Sequence, residues 1–152
     1  MDINTNIKVI VTGELFDSEG NLKCKFVKHN LITSAGYDFL ADCMCNTTRP
    51  SPLKYIAFGS GTIEPKLSDT ALASERVRKQ CDYSHLAGNT YLALGVTLGA
   101  GEATGKLTEA GLFNAPNGGV LFDRVVFPEM NKEEMDSYRV SFTINFKELD
   151  SV

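Results

Sequence analysis

The chain has 152 residues, 43% of them hydrophobic and 22% charged, with a formal net charge of −4. That length suits a single domain over residues 1–152, large enough to bury about 68–70% of the unfolded surface. The acidic balance gives no pull towards nucleic acid or an anionic membrane. No apolar run approaches the ~20 residues of a membrane-spanning helix. The opening MDINTNIKVIVTGELF lacks the basic stretch and small-residue cleavage site of a signal peptide, so synthesis and retention in a cytoplasm are expected.

In chain order, residues 7–16 alternate, with Ile7, Val9, Val11, Gly13 and Leu15 on one face, which predicts a half-buried strand. Residues 17–21 are a turn. Residues 22–27 alternate again, with Leu22, Cys24 and Phe26 inward and Lys23 and Lys25 outward, so residues 1–30 read as a hairpin. Thr33 or Ser34 then caps one short α-helix near residues 34–45. Tyr37, Leu40, Ala41 and Met44 share a helical face that is expected to meet the core. Pro50 and Pro52 end that helix in a loop. A short strand at residues 53–58 is closed by Gly59-Ser60-Gly61-Thr62. Residues 68–77 suggest one or two helical turns, residues 78–87 show no clear pattern, residues 91–98 read as a strand, and residues 99–105 form a glycine-rich loop.

The strongest local signal is residues 106–127, KLTEAGLFNAPNGGVLFDRVVF. Two apolar runs flank Asn114-Ala115-Pro116-Asn117-Gly118-Gly119, and Gly118 or Gly119 is expected to hold a positive φ. Residues 128–136 read as a charged connection. In the last strand, residues 138–146, Tyr138, Val140, Phe142, Ile144 and Phe146 share one face. The fold class is mainly β: an antiparallel β-sandwich or flattened barrel with one short helix. Its first and last strands are the expected sheet edges, covered by neighbouring subunits.

Candidate chemistry is sparse. Cys43-x-Cys45 with the distant Cys24 and Cys81 lacks the two close pairs of a structural zinc site, so four reduced, mostly buried thiols are expected. Gly59-x-Gly61 and Gly99-x-Gly101 lack the third glycine and the βαβ setting of a dinucleotide loop. His29 and His85 lie at turns, and no G-x-S-x-G elbow is present. Glu133, Glu134, Asp136, Glu148 and Asp150 read as solvated charge. Arg76, Arg78 and Lys79 cluster without the interleaved aromatics of a nucleic-acid surface. No catalytic, cofactor-binding or metal-binding residue emerges, and the chain is not expected to be an enzyme.

The ordered set HNLITSAGYDFLADCM, YIAFGSGT, SDTALASERVRK and GKLTEAGLFNAPNGGVLFDRVVFP resembles small virion proteins of tailed bacteriophages, of the kind labelled tail fibre or tail proteins. The recurring parts are residues 30–33, 59–62, 69–76 and 108–114. The resemblance implies a non-enzymatic structural component of the virion, made in the bacterial host's cytoplasm and acting by protein–protein assembly. It leaves tail fibre, neck or collar, baseplate and capsid decoration open, and it supplies no catalytic residues. It also suggests a homo-oligomer of cyclic symmetry, a trimer if the protein is a fibre, with other phage structural proteins as partners and residues 1–30 as the attachment element. The alternatives are a receptor- or glycan-binding module presenting residues 46–52 and 99–105, and a small hydrolase.

Overall fold

The computed structural model describes residues 7–147. Within them the order is β1 (Lys8–Phe16), β2 (Leu22–Ile32), α1 (Ser34–Cys45), β3 (Tyr55–Gly59), β4 (Glu75–Gln80), β5 (Asp82–Ser84), β6 (Tyr91–Leu98), β7 (Gly105–Phe113), β8 (Leu121–Lys132) and β9 (Ser137–Asn145). No helix among the described residues is long and apolar enough to cross a membrane.

The strands form one antiparallel sheet in the order β4-β3-β7-β8-β2-β1-β9-β6-β5. Its two edges, β4 and β5, are consecutive in the chain and separated only by Cys81. The sheet therefore curls back on itself and nearly closes, which is the flattened barrel expected from the sequence. The flattening has a local cause. β2 and β8 pair only at Leu31 with Arg124 and Ile32 with Asp123. Beyond that short ladder two layers face each other, and Phe26 stacks on Phe127 across the gap at 4.4 Å between ring centroids. Tyr138 completes the aromatic layer, 5.8 Å from Phe58 and 6.4 Å from Phe127. Burial of each such side chain stabilises the fold by roughly 1.5–3 kcal/mol as an upper figure.

α1 plugs one part of the barrel. Thr33 caps it by accepting from Gly36 N at 2.9 Å, while its hydroxyl donates to Leu121 O at 2.6 Å. Gly36 lets the helix touch the β8 backbone, because a Cβ there would overlap Phe122 O. Residues 60–74 fold as a lid over the outer face of β3, β7 and β8. Leu72 of that lid packs with Ala57, Phe113 and Leu121 in a second small core.

Several expectations change. Tyr37, Ala41 and Met44 are exposed, and the buried side of α1 is Gly36 and Phe39 with Leu40 and Cys43 half-buried. Helical spacing cannot choose between the two sides of a helix that is apolar nearly all round. Leu22 and Cys24 are exposed too, because β2 has no β8 partner at that end. Residues 68–77 contain no helix: the lid ends there and β4 begins. Residues 78–87 hold the second half of β4 and all of β5. Residues 128–132 are not a connection, since β8 runs on to Lys132. Phe146 lies past the end of β9 and is half exposed. Finally, β1 and β9 are not edges: β1 lies between β2 and β9, and β9 between β1 and β6. The N-terminal hairpin is thus built into the middle of the sheet, although residues 1–6 of it lie outside the described residues.

Candidate functional site

Two features stand out on this frame, a buried ionic clamp and an open apolar groove. The clamp begins with two charged residues set in apolar strands. Glu109 of β7 is 0% exposed and Arg124 of β8 is 2% exposed. Such charges are tolerated inside a protein only when paired and hydrogen-bonded. Arg124 Nε donates to Glu109 Oε2 at 2.9 Å, and Arg124 Nη1 donates to Asp69 Oδ2 of the lid at 3.1 Å. Arg124 Nη2 also lies 2.9 Å from Glu109 Oε2, an ion contact without hydrogen-bond geometry. The Glu109 carboxylate additionally accepts from three lid amides: Gly61 at 2.9 Å, Ser74 at 2.7 Å and Ala73 at 3.0 Å. Thr108 Oγ1 donates to Gly61 O at 2.8 Å. Ser34 at the start of α1 donates its amide to Leu67 O of the lid. The clamp thus joins three of the segments on which the resemblance rests, residues 59–62, 69–76 and 108–114, while the fourth, residues 30–33, lies alongside it through the backbone pairing of Leu31 with Arg124.

The glycines follow from this. At Gly59 a Cβ would strike Ser74 O, and at Gly61 it would come within 2.5 Å of Glu109 Oε1 and of Ala73 Cβ. The Gly61 amide faces a carboxylate, and the Gly99 amide donates to Glu102 Oε1 at 3.2 Å. Both amides are already taken by carboxylates, whose negative charge would repel a phosphate, so neither loop offers a free phosphate cradle.

The groove lies between α1, residues 52–54 and the ends of β6 and β9, with a volume of about 440 Å³. Phe39, Leu40 and Cys43 of α1 form one wall; Leu53, Leu92 and Phe146 form much of the rest. Lys54 is its charged lining residue. Its floor reaches the main core through Phe122, Leu94 and Ile144.

The other candidates are scattered. All four cysteines are free, but only Cys81 is buried, so the expectation of mostly buried thiols is corrected. Burial pushes the Cys81 thiol up to about 11 and also raises that of Cys43. Cys24 Sγ sits 3.3 Å from Met130 Sδ. Among the described residues no group of three or more His, Cys, Asp or Glu could hold a metal ion. His29 and His85 are exposed and lie in different parts of the fold; His85 Nδ1 donates to Tyr91 O at 2.8 Å. Asp136 accepts from Lys23 Nζ at 2.7 Å, which holds its carboxyl below the usual range, and from Glu133 N. It therefore ties the β8–β9 turn to β2. Glu148 and Asp150 lie outside the described residues. The basic cluster is engaged within the chain. Arg76 donates to Thr104 O and Lys106 O, and Lys79 to Thr97 O and Glu102. Arg78 donates to Ala115 O and Gly118 O while its guanidinium lies 3.6 Å from the Phe113 ring centroid. These cations fasten β4 to its neighbours.

The clamp residues themselves carry a signal in the sequence. Glu109 interrupts LTEAGLF, and Asp123 and Arg124 interrupt LFDRVVF, both largely apolar strands. A charge embedded in such a run needs a buried partner.

A scan against family models matched none, and searches of curated proteins and of solved structures found no match.

Proposed function

We propose that this chain is a non-enzymatic structural component of a tailed bacteriophage particle and works by protein–protein assembly. The observation that carries this reading is the convergence of three of the resembling segments on one clamp, with the fourth paired to the clamp strand β8 beside it. What those segments have in common is a way of locking a lid onto a sheet, and hence a building block. Glu109 and Arg124, the charged residues at its centre, are buried against each other and against backbone amides, so they offer no group to a substrate. The apolar surface around α1 adds support, because large exposed apolar patches mark contact surfaces.

Mass spectrometry of purified particles of the encoding phage, with the chain located in images of the intact particle, tests this reading. Many copies per particle, as an ordered oligomer in the tail, neck, baseplate or capsid shell, are expected. Absence from particles would overturn it. Free protein that blocks adsorption would instead support the receptor- or glycan-binding reading.

A further inference from the structure

The helix α1 is more apolar than its position explains. Its charged side chains are Asp38 and Asp42 alone. At about 100° per residue, the arc from Phe39 through Leu40 to Ala41 spans about 200° without a charge. Only part of that arc is covered. Gly36 and Phe39 pack on β8, whereas Tyr37 is 51% exposed and Met44 70% exposed, and Ala41 is exposed beside them. A helix apolar on so many sides belongs in an interior. Leu40, next to Met44 on this surface, also lines the groove. Stripe and groove therefore form one continuous apolar surface: a ridge beside a hollow.

The charges at its borders are opposite and free. Lys54 is exposed at the groove, and Asp38 is exposed on the helix. Neither side chain has an ion-pair or hydrogen-bond partner among the described residues. A ridge with an acid at its flank and a hollow with a base at its rim are complementary to each other. A surface that carries both halves is complementary to a second copy of itself.

We propose that a second copy of this chain covers this surface. Tyr37, Ala41 and Met44 of each copy seat in the groove of the other, Asp38 of each helix meets the other copy's Lys54 at the rim, and the two reciprocal contacts close a two-membered ring. The ring names the contact through which the assembly reading above would operate, and it rests on that reading for its setting in the particle.

The test is the mass of the purified full chain by light scattering across a concentration series. The parent should run as a closed oligomer. Met44→Asp alters an exposed side chain, so its far-ultraviolet circular dichroism should match the parent. Its dissociation constant should rise on the order of tenfold or more. Lys54→Glu and Asp38→Lys should each weaken the ring, and the double variant D38K/K54E should recover much of the loss. That recovery is a readout that mere loss of stability would not give. A parent monomeric at every concentration, an M44D ring of unchanged mass, or a double variant no better than the singles would overturn the proposal. A small molecule retained in the groove by native mass spectrometry would also overturn it. So would a parent that is monomeric when pure while M44D is lost from particles, since a different virion protein would then be the occupant. Particle incorporation, measured separately, distinguishes the two failures. A ring that breaks in M44D while the chain is absent from particles sinks the virion reading and leaves the interface standing.

Discussion

Asp123 shows how one buried group sets a pH dependence. It is fully buried on β8 and its carboxyl is pushed well above the ordinary range, chiefly by burial. Leu112 N donates to its Oδ1 at 3.2 Å, and Asn30 sits beside it, although neither Asn30 Nδ2 nor Asp123 Oδ2 completes a hydrogen bond. A carboxyl whose folded pKa exceeds its unfolded value of about 3.9 binds its proton more tightly in the native state. Its contribution to stability is therefore present at low pH and lost as pH rises from about 4 towards the raised folded value. Asp123→Asn keeps the acceptor and removes the charge. The variant should gain melting temperature over the parent as pH rises from 4 to 7, and a constant difference across that range would refute the account. The clamp behaves differently. Arg124→Met strands the Glu109 carboxylate without its cation and should cost about 3–5 kcal/mol in denaturant melts. E109Q/R124M should cost less than the sum of its single variants, because the two side chains share one interaction. Thiol reactivity follows exposure and thiolate fraction. Cys24 and Cys45 should label quickly in the native protein, Cys43 slowly, and Cys81 only on unfolding, as peptide-resolved labelling can show.

At the scale of elements, the β7–β8 turn is fixed from both ends. Gly118 and Gly119 have φ of 59° and 76°, a region that L side chains enter at a cost. Arg78 holds the turn from β4 through Ala115 O and Gly118 O, and Asn114 Oδ1 accepts from Val120 N at 2.7 Å. Valine at either glycine should destabilise the domain by roughly 1–3 kcal/mol. Gly119→Val should cost more than Gly118→Val. A Cβ at Gly119 would lie 2.7 Å from Ala115 Cβ and from Asn114 Oδ1, whereas none of the packed atoms comes within 4 Å of one at Gly118. Equal melts for both variants and the parent would mean that the turn is not built this way.

For the whole molecule, closure decides what can be removed. β1 is hydrogen-bonded along both sides, to β2 and to β9, and it buries Val9, Val11 and Leu15. Three such side chains at roughly 1.5–3 kcal/mol each, with two ladders of backbone bonds, approach the typical ~5–15 kcal/mol of a domain. Deletion of residues 1–21 should therefore unfold the protein, seen as loss of the cooperative melt by circular dichroism. A truncated chain that melted cooperatively near the parent's temperature would contradict this sheet order. A role for the hairpin in attachment is better tested on its exposed side chains, such as Lys25 and Val27.

The sequence by itself determined the elements whose periodicity is local: the alternating strands at residues 7–16, 91–98 and 138–146, the Thr33-capped helix and the glycine turn at residues 114–119. Each is dictated by which neighbours in the chain are apolar or tolerate a positive φ, so no distant partner is needed to read it. Only the tertiary structure decided which side of α1 is buried, because its apolar arc exceeds the contact that β8 offers. It also decided that residues 68–77 form a lid instead of a helix. Two amides there, of Ala73 and Ser74, find the Glu109 carboxylate 36 and 35 residues away in sequence, and that long-range bonding replaces an internal helical ladder. The edges of the sheet were hidden for the same reason. Strand order depends on pairings between segments far apart in the chain, and alternation along one strand does not say who its neighbours are.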